Sequence, residues 1–460
     1  MKLYSMLYVF IASFFLQLTV SGQKKLGNET QEQKQERMAW WTHDRFGMFI
    51  HWGLYSLAAR HEWVKNHERL TNDQYQVYFD EFNPDLFEPK AWAKQAKEAG
   101  MKYAVLTTKH HEGFCLFDSK FTAYKATNTQ AKRDLVKEFV EAFRAEGLKV
   151  GFYYSLIDWH HPDFTIDNNH PQRIDHGSDA SYDSLNKNRD IKKYREYLFN
   201  QVRELLTNYG KIDIIWFDFS YPGKQGKGRN DWNSVELLKM ARQLQPGIIV
   251  DNRLDLMDYD DGFDFVTPEQ YKAADWPTVN GKKVPWETCQ TFSGSWGYYR
   301  DENSWKSTPQ LLELLIETVS KGGNLILNVG PTARGFFDGR AQERLQGMGE
   351  WMKYNNKSIY GCTQAPKDFA VPDNTLLTYN PATRKLFIHL LDYPLETLVL
   401  KGYAGKVKYA QFLHDNSEIK FSEAQQQEFS KADEKSADLV LELPVQKPHS
   451  AIPVIELDLK

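Results

Sequence analysis

Apolar residues recur along this chain in two rhythms, and the change between them falls near residue 360. Before it, short and nearly continuous apolar runs alternate with longer stretches whose apolar positions repeat at helical spacing. The runs Phe46 to Trp52, Tyr103 to Lys109, Val150 to Ser155, Ile212 to Phe217, Gly247 to Asn252, Asp264 to Thr267, Trp286 to Thr291 and Asn324 to Val329 read as strands, most of them covered on both faces. Between them, Pro89 to Ala99, Asp134 to Glu146, Asp190 to Asn208, Ser234 to Gln243 and Pro309 to Ser320 read as amphipathic helices. Gly100, Gly147, Gly210 and Gly322 stand where helices should stop, each just before a strand. Eight strands joined by helical crossovers is the number that closes a parallel barrel. The sixth and seventh runs are short, with the polar segment Lys272 to Lys283 between them. An open doubly wound sheet is the rival arrangement, and no Gly-rich phosphate loop supports it.

Beyond Tyr360 the runs shorten and alternate with period two: Thr375 to Tyr379, Lys385 to Leu391, Thr397 to Leu400, Lys406 to Phe412, Asp438 to Leu443 and Val454 to Leu459. Turn residues separate them, as in an antiparallel sandwich, and the polar run Ser422 to Lys435 reads as a solvated loop. The expected fold class is therefore α/β, a (β/α)8-type TIM barrel over residues 23–360 followed by an all-β C-terminal sandwich over 361–460. The tail carries few reactive side chains, so its expected role is to stabilise the barrel rather than to bind glycans independently.

The apolar run from Leu3 to Val20, with Val20-Ser21-Gly22 behind it, has the layout of a signal peptide covering residues 1–22, with a mature start at Gln23. No Cys follows to carry a lipid, and the alternative is an uncleaved anchor. Export is expected, to the periplasm or the medium if the host is bacterial, without stable membrane insertion. A formal charge of -4 over 460 residues, with Lys and Arg interspersed among acids, leaves no basic stripe and excludes nucleic acid as an expected partner. Cys115, Cys289 and Cys362 are widely spaced and show neither a disulfide framework nor a zinc pattern. The 13 Trp among 14% aromatics favour a ligand with both an apolar face and hydroxyls, which describes a sugar.

The strand ends carry the chemistry. In order they read Ile50-His51-Trp52-Gly53, Thr107-Thr108-Lys109-His110-His111, Tyr153-Tyr154-Ser155, Trp216-Phe217-Asp218, Asp251-Asn252-Arg253 and Thr267-Pro268-Glu269. One polar residue at a strand end usually caps a turn, but six such ends in succession would deliver imidazole, phenol, carboxylate and guanidinium groups to the barrel's catalytic rim. The pair His110-His111 invites a metal reading. Neighbours on a strand face opposite ways, however, and no accompanying triad has metal-ligand spacing, so no metal and no cofactor are expected. Two carboxylates in unlike surroundings are the minimum for breaking a glycosidic bond. Asp218 is one, and Glu269 and Glu287 compete to be the other. Glu269 ends a strand as Asp218 does, whereas Glu287 stands near a strand's start, where residues more often serve stability.

These residues fall in segments that resemble the α-L-fucosidases of glycoside hydrolase family 29 along essentially the whole mature chain. The segments are Arg45-Phe46-Gly47-Met48-Phe49-Ile50-His51-Trp52-Gly53, His61-Glu62-Trp63, Thr108-Lys109-His110-His111-Glu112-Gly113-Phe114, Tyr153-Tyr154-Ser155, Trp216-Phe217-Asp218, Asn252-Arg253, Ser295-Trp296-Gly297-Tyr298 and Gly323-Asn324-Leu325-Ile326-Leu327-Asn328-Val329-Gly330-Pro331. The resemblance implies a retaining, metal-independent exo-hydrolase that removes terminal α-L-fucose from oligosaccharides or glycoconjugates through a covalent fucosyl-enzyme. It implies Asp218 as nucleophile and Glu269 as acid/base, in a segment like that of members with broad aglycone tolerance; Glu287 also matches a recurrent segment. His51, Glu62, Trp63, His110, His111, Tyr154, Trp216 and Arg253 match the pocket that grips fucose, with Trp296 near its methyl group. Two other functions fit the same residues: a retaining glycosidase for another galactose-configured sugar, and a non-catalytic fucose-binding protein.

Overall fold

In the computed structural model, residues 25–423 and 437–460 are described; the leader expected over 1–22 and most of the 422–435 run lie outside them. The barrel strands are β1 (Phe46–Ile50), β2 (Tyr103–Lys109), β3 (Lys149–Ser155), β4 (Ile214–Asp218) and β5 (Ile249–Val250), then, after a small hairpin of β6 (Thr278–Val279) and β7 (Lys282–Lys283), β8 (Glu287–Thr291) and β9 (Asn324–Val329). They form one parallel sheet in the order β5-β4-β3-β2-β1-β9-β8. The expected sixth strand, Asp264 to Thr267, is not a regular strand. It closes the barrel by single parallel bridges, Phe265 to Asp251 on one side and Val266 to Trp286 on the other.

Side-chain carboxylates take part in the bonding on both sides of β5. Asp264 Oδ2 accepts from the Val250 amide at 2.9 Å and Asp251 Oδ1 from the Phe217 amide at 3.1 Å, so carboxylates stand where ladder carbonyls would. The expected run Gly247 to Asn252 shortens to two residues of strand. The predicted helices appear as Pro89–Glu98, Leu135–Ala145, Ile191–Asn208, Ser234–Leu244 and Thr308–Ser320. Gly147 and Gly210, at φ 79° and 72°, take the left-handed turn that ends a helix. Two long helices went unpredicted, Gln31–Asp44 and Gly339–Asn355. The first lays Met38 and Trp41 against the barrel's interior stack, which runs through Phe49, Val105, Tyr153, Ile214, Trp216 and Ile326.

The antiparallel part comprises β10 (Thr363–Gln364), β11 (Thr375–Asn380), β12 (Lys385–Leu390), β13 (Thr397–Leu400), β14 (Val407–Phe412), β15 (Phe421–Glu423), β16 (Leu439–Glu442) and β17 (Val454–Leu459). Sheets β10-β11-β12-β17-β14 and β13-β16-β15 enclose a core of their own. Trp351 Nε1 donates to the Ile452 carbonyl at 2.7 Å, and Thr378 Oγ1 to the Ser358 carbonyl at 2.7 Å, tying this unit to the barrel's last helix and the turn that follows it. The three cysteines are free and buried. Among the described residues no helix is long and apolar enough to cross a membrane.

Glu287 belongs to the fold rather than to the catalytic rim. It opens β8 opposite Asn324, the first residue of β9, whereas Asp218 closes β4; the two acids therefore stand at opposite ends of the barrel. Glu287 is fully buried, its Oε2 accepts from the Tyr103 hydroxyl, and burial pushes its carboxyl up to about 8 against that hydrogen bond. The folded protein therefore holds a proton here that the unfolded chain, with an ordinary carboxyl near 4.5, releases. The stability this group contributes is full below about pH 4.5 and is lost as pH rises towards 8. Glu287→Gln removes the ionisation, so its melting temperature relative to wild type should climb by several degrees between pH 4.5 and 8 in thermal scans; a difference independent of pH would refute a protonated Glu287.

Candidate active site

Strand parity decides which side chains meet. On β4, Ile214, Trp216 and Asp218 alternate inward, and β3 lies in register with Tyr153 beside Trp216 and Ser155 beside Asp218. Tyr153 therefore faces the barrel interior, and its hydroxyl donates to Asp218 Oδ2 at 2.8 Å. Tyr154, the expected pocket residue, faces the surrounding helices, where its hydroxyl donates to Gln201 Oε1 at 2.9 Å and Lys109 lies over its ring. The expectation is wrong by one residue because successive side chains on a strand point to opposite faces.

A cavity of about 80 Å3 opens at the carboxyl ends of the strands. Nine of the expected residues line it: His51, Trp63, His110, His111, Trp216, Asp218, Arg253, Glu269 and Trp296. Phe49, Tyr153, Phe219 and Cys289 complete the wall and were missed. Phe49 and Cys289 were accessible to a parity count along their strands, and Phe219 was signalled only by its place after Asp218. Glu62 stands behind the wall. Its Oε2 accepts from Ser295 Oγ, Trp296 N and Gly297 N at 3.0–3.2 Å and so shapes the loop that presents Trp296. Glu287, at the other end of the barrel, contributes nothing here.

Arg253 joins the two rim carboxylates. Its Nη1 donates to Asp218 Oδ1 at 2.9 Å, its Nη2 to Glu269 Oε2 at 3.0 Å and its Nε to Thr267 Oγ1 at 3.0 Å, while the guanidinium lies over the Trp216 ring. Burial opposes its charge, yet Asp218, Glu269 and Asp251 together hold it above the ordinary arginine range. Asp251, fully buried beneath, is pushed well above the carboxylate range by burial. The surroundings of the two acids differ: the Asp218 side chain is 12% exposed and that of Glu269 46%.

The imidazoles are neutral hydrogen-bonding groups. Burial holds His51 down to about 3 and both His110 and His111 well below the usual range. Asn328 Oδ1 can only accept, so His51 Nδ1 donates to it at 2.6 Å, leaving Nε2 as an acceptor. Ser155 Oγ donates to the Ile157 carbonyl and so accepts from His111 Nδ1 at 2.7 Å. That leaves the His111 Nε2 lone pair 3.9 Å from Asp218 Oδ2, two acceptors facing one another. His110 Nδ1 and Trp216 Nε1 are buried without a protein partner. Contrary to the strand-neighbour expectation, His110 and His111 both line the cavity, with ring centroids 4.0 Å apart, because β2 ends at Lys109 and the pair sits in the turn beyond it. Among the described residues, no three His, Cys, Asp or Glu side chains are grouped to hold a metal.

Phe219 takes φ 83°, a left-handed conformation for which a bulky residue is a poor occupant, at a price of about 1–3 kcal/mol. The strained turn sets its ring against Trp63 and His111, at centroid distances of 5.4 and 4.9 Å.

The chain is similar to known proteins. Residues 14–357 match the family model described as alpha-L-fucosidase. Human plasma alpha-L-fucosidase is 31% identical over 395 residues, 79% of this chain and 78% of that protein. Alpha-L-fucosidase isoenzyme 1 from Paenibacillus thiaminolyticus is 44% identical with a TM-score of 0.84, covering 93% of this chain and 99% of that one. A family 29 alpha-L-fucosidase from Bacteroides thetaiotaomicron, a trapped covalent intermediate in complex with 2-fluoro-fucosyl fluoride, is 28% identical with a TM-score of 0.79, covering 95% and 99%. A pocket of neutral imidazoles and aromatic rings around two bridged carboxylates, on a barrel matched over nearly its whole length, places this chain in the α-L-fucosidase family as a retaining hydrolase of terminal α-L-fucosides.

Proposed function

We propose that Asp218 is the nucleophile that forms the covalent fucosyl-enzyme and Glu269 the acid/base, on fucosylated oligosaccharides or glycoconjugates. The observation that carries the assignment is the bridge Arg253 makes between these two acids, one deep in the pocket and one at its mouth. A shared guanidinium keeps them a few ångströms apart, in keeping with the spacing of about 5–5.5 Å that retaining glycosidases use. Arg253 and Tyr153 hold the two oxygens of Asp218 in fixed orientation for attack on the anomeric carbon. Glu269, half in solvent, protonates the departing oxygen and then draws a proton from the water that releases fucose.

The remaining groups bind the sugar. The facing acceptors His111 Nε2 and Asp218 Oδ2 call for a donor, which a fucose hydroxyl supplies, and His110 Nδ1 and Trp216 Nε1 gain partners from other hydroxyls. Phe49 and Trp296, whose rings meet edge to face, give apolar carbon to the methyl group. A hydroxymethyl at that position would bury a hydroxyl against aromatic carbon, which disfavours other galactose-configured sugars.

Asp218→Ala should lower kcat on an aryl α-L-fucoside by at least about 1,000-fold, with added azide restoring turnover and giving the inverted fucosyl azide. Glu269→Ala should spare activated aryl fucosides relative to fucosyl oligosaccharides and give the retained azide. Azide products of the opposite configurations would exchange the two roles. Tyr153→Phe should reduce kcat about tenfold, as expected for one lost hydrogen bond to a charged group, and Tyr154→Phe should stay within about twofold; equal losses would refute the parity argument. We also infer that residues 1–22 direct export. Terminal sequencing of the exported protein should read from Gln23, and retention of Met1 would overturn this.

A further inference from the structure

Beside the sugar pocket lies a second cavity, about 460 Å3 against 80 Å3, and the two share Asp218, Phe219 and Arg253. If the smaller space admits one sugar ring, the larger has room for more than one. Its outer wall comes from the loops that follow β4 and β5, with Tyr221 and Met257 supplying apolar surface and Arg229, Asp255 and Asp258 the charge. Arg229 repeats the arrangement of Arg253. Its backbone amide donates to Asp255 Oδ2 at 3.0 Å, its Nε lies 3.5 Å from the same oxygen, and its Nη1 lies 2.8 Å from Asp258 Oδ1. Each guanidinium is thus engaged by two carboxylates: Asp218 and Glu269 for Arg253, Asp255 and Asp258 for Arg229. The lining is acidic, and neither of its cations is left over for an anionic ligand.

We propose that this cavity receives the leaving group and selects neutral oligosaccharides of two or more sugars over acidic ones, with Arg229 as the specificity-determining residue that fixes the 255–258 loop as its far wall. This rests on the reading of Asp218 and Glu269 as the catalytic pair. A neutral sugar offers hydroxyl donors, which carboxylates can only accept, and C–H faces that lie on Tyr221 and Met257. A sialate or sulfate on the leaving group instead meets uncompensated like charge, and repulsion of this kind excludes wrong partners.

The test compares kcat/KM on 4-nitrophenyl α-L-fucoside, a neutral fucosylated trisaccharide and the same glycan sialylated on its leaving portion, for wild type, Arg229→Ala and the double variant Asp255→Asn/Asp258→Asn. Wild type should favour the neutral over the sialylated glycan at least tenfold, and the double variant should narrow that preference to about threefold. Arg229→Ala should lower the ratio of trisaccharide to aryl-fucoside kcat/KM about tenfold, chiefly through KM. An unchanged neutral-to-sialylated preference in the double variant, or an equal loss on both substrates for Arg229→Ala, would overturn the proposal. A wild type inert on the aryl fucoside would instead bring down the catalytic reading beneath it.

Discussion

A guanidinium held between two carboxylates is the interaction around which the rim of this barrel is organised. Arg253 touches Asp218 and Glu269 and is braced by Thr267 and the face of Trp216, so it draws residues from three successive staves of the barrel to one point. Two acids close together at a partly buried site repel, and the cation between them offsets that repulsion. The arginine holds both in place by hydrogen bonds. Asp251, one layer below, is instead pushed well above the carboxylate range, because burial outweighs its proximity to the same cation.

The closing seam of the barrel follows from the same economy of charge. At the end of β5, the Asp264 side chain accepts the Val250 amide hydrogen on the side of the next run, and the Asp251 side chain accepts the Phe217 amide hydrogen on the side of β4. Asp264 is in turn held by Arg37 from the first helix, at 2.7 and 3.0 Å. The seam is therefore fastened by side chains together with backbone bonds, among them Asp264 N–H to the Val250 carbonyl at 2.7 Å and Glu287 N–H to the Val266 carbonyl at 2.9 Å.

Much of this was legible in the sequence, and the failures have a common cause. Apolar runs ending in polar residues located the staves and seven members of the pocket, since a strand leaving a core must end in groups that tolerate water, and the family resemblance added Trp63 and Trp296. Tyr154 was misplaced because strand facing depends on register, and the register between β3 and β4 is a long-range contact absent from local pattern; counting back from Asp218 through Trp216 would have selected Tyr153. The His110-His111 pair was read as strand when it is turn, because the end of a ladder depends on its neighbours. Phe219 and the wall of the adjoining cavity lie in loops whose shape is set by distant partners such as the Arg229 carboxylates.

The left-handed turn at Phe219 has a consequence for how the enzyme can change over evolutionary time. A glycine there would ease the backbone, but it would also remove the ring shared by the two cavities and packed on Trp63 and His111. Stability and recognition thus pull in opposite directions at one position. Substitution should accordingly be tolerated more readily in the outer loops than at the turn that follows Asp218.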